Sequence, residues 1–370
     1  MEFELKLKDF QDILKSLRKD GHISDDSTAE VLIRTISNNT VQFGRKCHNG
    51  LLVNNEADVR QEGSTVLMLG EIYNSITKLK STKLTRCKIK WVDNLLNIEV
   101  EDMTFKDIPT YNPERLIKWF DHHLPPEPFM KMDASELKDT LDRVLICIDP
   151  RDVRDSLKNI LLKINKDYLT MIGTNGAQLN EIAKPHDGWS GPDVEMMVSF
   201  YAGKLLKDLF KKGTIELSTL KRNIYFKLDN ILVVGDLKIN IFYPNYAALF
   251  PHYELESCNS FKLPIAKLRE MASFISMTAD PEDNLRLTIN AENDLVIFRN
   301  AKSNIKHRTD DIKGIIDLDV NAKSLTELSK TMNGEAVEVR YQHGKNYITF
   351  HPDEDGQRAL LTIVLRRDDE

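Results

Sequence analysis

YAGKLLKDLFKKGTIELSTLKRNIYFKL, residues 201–228, changes its hydrophobic period part-way along. From Tyr201 to Lys212, Leu205, Leu206, Leu209 and Phe210 share one face while Lys204, Lys207 and Lys211 lie opposite, so the spacing predicts an amphipathic helix. From Asn223 to Leu228 apolar and polar residues alternate, the period of a half-buried strand. The same succession of helix and strands recurs along the chain. The other predicted helices are DFQDILKSLRK from Asp9, GEIYNSITKLK from Gly70, ASELKDTLDRVL from Ala134, PIAKLREMASFI from Pro264 and AKSLTELSKTM from Ala322. Their start positions differ by 58 to 67 residues, an imperfect repeat of about sixty, which is too long for the small solenoid units.

Between the helices run alternating stretches such as Lys88-Ile89-Lys90-Trp91-Val92, Asn97-Ile98-Glu99-Val100 and Glu338-Val339-Arg340-Tyr341. Asp93-Asn94, Asp229-Asn230 and His343-Gly344-Lys345-Asn346 supply hairpin turn chemistry between them. Each unit is therefore a helix on antiparallel strands. A unit of about sixty residues buries little surface, so two should pair, giving three α+β domains of roughly 120 residues. The proline-rich segments His123-Leu124-Pro125-Pro126-Glu127-Pro128 and Phe250-Pro251-His252 suit linkers, and the expected domains are 1–124, 125–252 and 253–370.

Composition bounds the function classes. With 370 residues and 41% hydrophobic content the chain can build packed cores. Its longest apolar runs, such as Ile231-Leu232-Val233-Val234 and Ala359-Leu360-Leu361, are far too short to span a bilayer as a helix. The start MEFELKLKDF lacks the apolar segment of a signal peptide, so a cytoplasmic protein without a membrane partner is expected. Cys47, Cys87, Cys147 and Cys258 are scattered, which removes a CxxC site and a dense disulfide framework. The 51 basic and 57 acidic side chains give a net charge of -6, which taken alone disfavours a simple basic nucleic-acid binder.

Laid out as three domains of two units, the chain resembles the β sliding clamp family of bacterial DNA polymerase III over essentially its whole length. Tyr168-Leu169-Thr170-Met171-Ile172-Gly173-Thr174-Asn175-Gly176-Ala177-Gln178-Leu179 is similar to the strand that ends in the family's A-T-D-G-x-R-L signature. Tyr243-Pro244-Asn245-Tyr246, followed by Leu249-Phe250-Pro251, is similar to its F-P-D-Y segment, and Leu361-Thr362-Ile363-Val364-Leu365-Arg366 to its closing strand. The resemblance implies the DNA clamp fold, two copies joined head to tail in a ring, and helices lining a hole around duplex DNA. It also implies a non-enzymatic processivity factor whose partners are the replicative polymerase and a clamp loader, with no cofactor.

Such a ring would reconcile the acidic net charge with DNA, provided that basic side chains collect on the wet helix faces. The residues that fit are Lys15, Lys19, Lys78, Lys80, Lys138, Arg143, Lys204, Lys207, Lys211, Arg269, Lys323 and Lys330. On any single helix, lysines on a wet face also serve merely to solubilise it. In the loop Pro150-Arg151-Asp152-Val153-Arg154-Asp155-Ser156, Arg151 and Arg154 could meet phosphate or pair with Asp152 or Asp155.

The resemblance further implies a pocket that takes a partner's short peptide between the second and third domains. The matching positions are Leu157, Thr174, Gly176, Ala177, Gln178, Leu179, Pro244, Ala248, Leu249, Leu361, Ile363, Val364, Leu365 and Arg366. Several of these apolar residues also suit a strand core. The chain departs from the family at Asn175, Gln178, Ala248 and Ile363-Val364-Leu365, where the family often has Asp, Arg, Arg and Met-Pro-Met. These departures fit a divergent clamp, phage-type or otherwise specialised, with its own partner sequence. For the dimer the family joins an edge strand of the first domain to one of the third. Phe105 and Ile108, with Phe274 and Ile275 opposite, are the candidates, and all four also suit a core.

Two further readings come from other classes. Asp121-His122-His123 has the letters of a phosphoesterase's metal-binding motif, although it runs straight into a proline linker and lacks further aspartates at strand ends of an α/β fold. A clamp-like monomer that serves only as a peptide-binding scaffold is the other. Gly173-Thr174-Asn175-Gly176 is no phosphate loop, since no GK[ST] follows, and spacing assembles no nucleophile, base and acid.

Overall fold

A computed structural model describes residues 1–19, 29–47, 49–186, 189, 191–238, 241–250, 258–279, 286–354 and 356–364. The fold is α+β, with antiparallel sheets throughout. Its α-helices are α1 (Leu7–Lys19), α2 (Leu69–Thr77), α3 (Glu114–His122), α4 (Ala134–Val144), α5 (Phe200–Leu209), α6 (Ile265–Thr278) and α7 (Ala322–Lys330). Six coincide with the repeating amphipathic segments. On α1 the buried residues Leu7, Phe10, Ile13, Leu14 and Leu17 form the stripe that the spacing predicts. Helix α5 ends at Leu209, shorter than expected, so Lys211 lies past the helix end. Helix α2 likewise stops at Thr77, leaving Lys78 as its cap and Lys80 beyond it.

The chain divides into two compact units, Met1–Lys138 with Tyr201–Lys238, and Asp139–Phe200 with Ile239–Glu370. The middle domain expected at 125–252 is thus shared between them. In the first unit an eight-stranded sheet contains the neighbouring strands Gly50–Glu56 and Ile231–Asp236, paired with Leu51 opposite Val233 and Val53 opposite Ile231. A five-stranded sheet in the order 58–61, 2–6, 86–92, 95–100, 103–109 completes that unit. In the second, a nine-stranded sheet pairs Gln178–Pro185 with Gln357–Thr362, and a four-stranded sheet runs in the order 304–308, 295–299, 286–292, 316–321.

Helix α3 holds Asp121 and His122 and ends with His123 as its cap, where the expected linker begins. Its residues Leu116 and Phe120 are buried in a cluster with Leu52, Tyr225, Leu232 and Val234, which covers the junction between strands 50–56 and 231–236. Burying a side chain of this size contributes about 1.5–3 kcal/mol. Gly50 is needed beneath it, because a Cβ there would come within 2.4 Å of the Trp119 indole. The cysteines behave as expected of strand and core thiols: Cys87, Cys147 and Cys258 are buried, and burial pushes the Cys87 thiol up to about 12.

His351, in strand Tyr347–Pro352, gives the second unit a pH dependence. Burial, aided by the Arg340 cation, pushes its imidazole down to about 4. The unfolded chain, with an ordinary value near 6.5, binds the proton that the folded chain refuses, so stability falls as pH drops from about 6.5 to about 4. The expected loss is about 3 kcal/mol at the lower limit. Urea titrations at pH 7 and pH 4.5 should show it, and His351→Gln should flatten the difference.

Candidate nucleic-acid and partner-peptide surfaces

The basic residues divide into those held by other protein groups and those facing solvent. On the first unit Lys15, Lys19, Lys78, Lys80, Lys204 and Lys211 are exposed, while Lys138 and Lys207 are half-buried. Lys15 stands 3.7 Å from Asp12, and Lys19 donates to the Asp208 carbonyl at 3.0 Å, tying the ends of α1 and α5 together. Arg18 lies over the Tyr73 ring at 4.4 Å, where α1 packs on α2. It escaped the sequence reading because only the pairing of these two helices brings it to an aromatic face. A guanidinium held on a ring keeps its charge presented outward at little entropic cost.

On the second unit Lys323 and Lys330 are exposed on α7. Arg269 donates to the Ser329 carbonyl at 3.0 Å and also to that of Met332, so it stitches α6 to the end of α7. Arg143 differs from the solvent-facing cation expected. It is 4% exposed, and its guanidinium donates to the Thr331 carbonyl at 2.8 Å, to Asp139 at 3.1 Å and to the Gln357 side chain, with Glu354 at 3.5 Å. Asn180 joins this network by donating to the Arg143 carbonyl and to the Thr331 hydroxyl. Arg143 is thus a buried tie and not a DNA contact.

In the loop before Leu157, Arg154 pairs with Asp152 through two contacts of 2.9 and 2.7 Å and donates to the Asn175 carbonyl at 2.9 Å. The Arg154 hydrogen bonds hold the Asp152 carboxyl down at about 2. Arg151 is exposed and lies 3.5 Å from Asp149, a partner the sequence reading did not weigh.

The peptide-pocket positions form a layered arrangement within the second unit. The turn at Asn175–Gln178 is built by the Asn175 side chain, which accepts from the N–H groups of Ala177 and Gln178. Thr362 donates to the Ala177 carbonyl and Gln178 pairs with Leu361, so this turn and the closing strand are brought together. The Arg154 guanidinium covers the turn, 2.9 Å from where a Cβ on Gly176 would stand. Leu157, Thr174, Gln178, Leu179 and Leu361 are buried. As lining residues they differ from expectation: Leu179 is 1% exposed in a core with Leu161, Ile172, Met197, Tyr246 and Phe250. The surface-facing members are Gly176, Ala177, Pro244, Ala248 and Leu249, the last 37% exposed, with Ile363 and Val364 half-buried. Leu365 and Arg366 lie outside the described residues. Gln178 donates to the Ile146 carbonyl at 3.2 Å.

Of the four dimer candidates, Ile275 is fully buried in the core beneath α6, which corrects its assignment, and Ile108 is largely buried. Phe105 is half-buried on an edge strand, and Phe274 is exposed. The phosphoesterase triad does not assemble. Asp121 is bound to Arg34 at 2.7 Å, the His122 ring contacts its own helix at Lys118, and His123 stacks on Trp119 at 4.1 Å. Among the described residues no group of three or more His, Cys, Asp or Glu could hold a metal ion, and no helix is long and apolar enough to cross a membrane.

No family model matches the sequence, and no curated protein matches it. The structure, by contrast, has close counterparts. The DNA polymerase sliding clamp of Bacillus subtilis superposes with a TM-score of 0.87 at 14% identity, over 99% of each chain. The DNA polymerase III subunit beta of Pseudomonas aeruginosa gives 0.83 at 14% identity, over 99% of this chain and 100% of that one. The Helicobacter pylori beta clamp bound to a DNA ligase peptide gives 0.83 at 16% identity, with the same coverage. The chain therefore has the fold of bacterial β sliding clamps from end to end.

Proposed function

We propose that this protein is a sliding clamp: a non-enzymatic ring of two copies joined head to tail that encircles duplex DNA and tethers a replicative polymerase. The observation that carries the reading is agreement in fold along 99% of the chain with the Bacillus subtilis sliding clamp. Each copy would contribute the domains 1–124, 125–252 and 253–370, and a clamp loader would open the ring. Tethering works by effective concentration, since a polymerase held by a topologically linked ring stays near its template. Contacts from the exposed lysines would be diffuse and directed to phosphate, which permits sliding and makes DNA association depend on salt. The test is retention on circular DNA: the loaded protein should stay on a nicked circle and be lost when the circle is cut. Equal loss from both would overturn encirclement.

Lys204→Ala with Lys207→Ala should weaken DNA association and reduce the slope of log affinity against log salt by about 0.9 for each phosphate contact removed. Salt titrations by fluorescence anisotropy check this, and an unchanged slope would remove α5 from the DNA surface.

The partner peptide would sit over the Asn175–Gln178 turn, with Leu249 as its accessible apolar wall. An exposed aliphatic beside a buried core suits a side-chain anchor. Leu249→Asp should leave the thermal melt within a few degrees of native while weakening capture of the polymerase's peptide by at least about tenfold. Calorimetry with that peptide decides it, and undiminished binding would move the pocket elsewhere.

A further inference from the structure

Three strands stand at the same place in the repeat, each running straight into a helix: 2–6 before α1, 130–133 before α4 and 259–264 before α6. The first and the third each have a short antiparallel strand on their outer side. Strand 58–61 lies against 2–6 with Asp58 opposite Glu4, and strand 312–313 lies against 259–264 with Ile312 opposite Phe261. Strand 130–133 has no such neighbour among the described residues: it ends the eight-stranded sheet and pairs only with 214–220. The connection that occupies the place of 58–61 in this repeat, residues 186–193, reads HDGWSGPD. Its two glycines and its proline oppose a strand, and His186, Trp189 and residues 191–193 lie in none.

The bare edge has the groups that pairing needs. Ala134 donates to the Gly213 carbonyl, so the alternation of an antiparallel ladder turns the N–H and C=O of Lys131 outward. Lys131, Glu216 and Lys227 stand side by side across three strands. The one carboxylate serves two ammonium groups, at 3.5 Å from Lys131 and 3.1 Å from Lys227. The Lys227 hydrogen bond, aided by Lys131, holds the Glu216 carboxyl below its usual range, so it is ionised and the row keeps an excess of positive charge. Beside the row Pro125, Pro126 and Pro128 wall a cavity of 420 Å³, with the buried Ser218 in its lining. Glu127 also lines it and is exposed, which disfavours a purely polyacidic occupant.

We infer that strand 130–133 is a docking edge that takes an added strand from a partner protein, an extended segment with one acidic residue opposite Lys131. Main-chain pairing supplies affinity, and Lys131 with its cavity supplies selectivity. The same matching of charge is built into the first sheet, where the edge has the opposite sign: Glu2 and Glu4 on strand 2–6 are met by Arg60 of the flanking strand at 3.8 and 3.5 Å. Opposite charges on facing strands stabilise such a pair, and like charges oppose it. A lysine on a bare edge also deters pairing in general. Selectivity separates the two roles, since a guard disfavours every strand whereas a docking edge prefers an acidic strand to a basic one. The inference stands apart from DNA encirclement and from the pocket near Leu249.

The experiment is amide hydrogen exchange with an NMR titration of the full chain in low salt. The probe is the acetylated and amidated peptide TVEVT, compared with TVKVT and with TVEVT carrying an N-methyl group on its glutamate. In the free chain the Lys131 N–H should exchange without protection, and saturating TVEVT should slow it at least about fivefold. TVEVT should bind with a Kd of about 1 mM or tighter, TVKVT at least about fivefold more weakly, and the N-methylated peptide should leave the Lys131 signal unmoved. Lys131→Glu changes an exposed side chain and should reverse the preference, so that TVKVT becomes the better ligand. A Lys131 N–H already protected in the free chain would overturn the inference, because the edge would then be covered by the chain itself. No shift at Lys131 with TVEVT, or equal affinity for the acidic and basic peptides, would overturn it as well.

Discussion

Arg143→Ala is expected to destabilise the unit built from 139–200 and 239–370 by about 3–5 kcal/mol, the usual cost of stripping one partner from a buried charged network. Three groups would lose a donor at once: the Thr331 carbonyl, which keeps only Gln357, the Gln357 side-chain oxygen, which keeps only the Asn333 N–H, and the Asp139 carboxylate. Gln357 also donates to Asn180 and to the Thr331 carbonyl, so the loss spreads across the pairing of strands 178–185 and 357–362. The measurement is a urea titration followed by tryptophan-independent circular dichroism, since Trp91, Trp119 and Trp189 are not part of this network. DNA affinity of the folded fraction should match native, and Arg143→Lys should recover part of the lost stability. A melt like that of the native protein, combined with weaker DNA binding, would return Arg143 to the DNA surface.

Leu179→Asp should be as severe for a different reason. The side chain sits among Leu161, Ile172, Tyr246 and Phe250, so an aspartate there must be buried without a partner or must open the core. A loss of more than about 4 kcal/mol is expected, with the partner pocket lost along with the fold. The contrast with Leu249→Asp is the useful part. Both substitutions should weaken peptide capture, but only the one at Leu179 should lower the melting temperature by many degrees. If Leu179→Asp melts normally and still fails to bind, Leu179 is a wall of the pocket and not its foundation.

The sequence made the helices and their periodicity legible because each carries one apolar stripe of the right period, as with Phe10, Ile13, Leu14 and Leu17. The hairpin turns were legible for a similar reason: Asp93 and Asn94 do adopt positive φ, at 51° and 61°. Helix α3 was hidden by its shortness and by the prolines that follow it. Its two buried anchors, Leu116 and Phe120, look like loop residues until strands 50–56 and 231–236 supply the surface they cover. Arg143 shows a second kind of limit. Spacing gives the face of a helix on which a cation lies, but not whether that face meets water or the end of another helix at Thr331. Among the positions that the resemblance implied for the pocket, only packing separates accessible Leu249 from enclosed Leu179.

The interleaving of the two compact units also bears on how the chain is made. Strand Gly50–Glu56 cannot gain its neighbour until Ile231–Asp236 has left the ribosome, and Gln178–Pro185 must wait for Gln357–Thr362. Neither unit is a continuous peptide, so neither can be completed in the simple order of one domain after another. During synthesis two naked sheet edges are therefore exposed in turn, the first from the emergence of Glu56 until that of Asp236 and the second from that of Pro185 until that of Thr362. Slow elongation between these points would lengthen the period of greatest aggregation risk, and a chaperone that masks strand edges would act on nascent chains with Gly50–Glu56 already out and Ile231–Asp236 still to come.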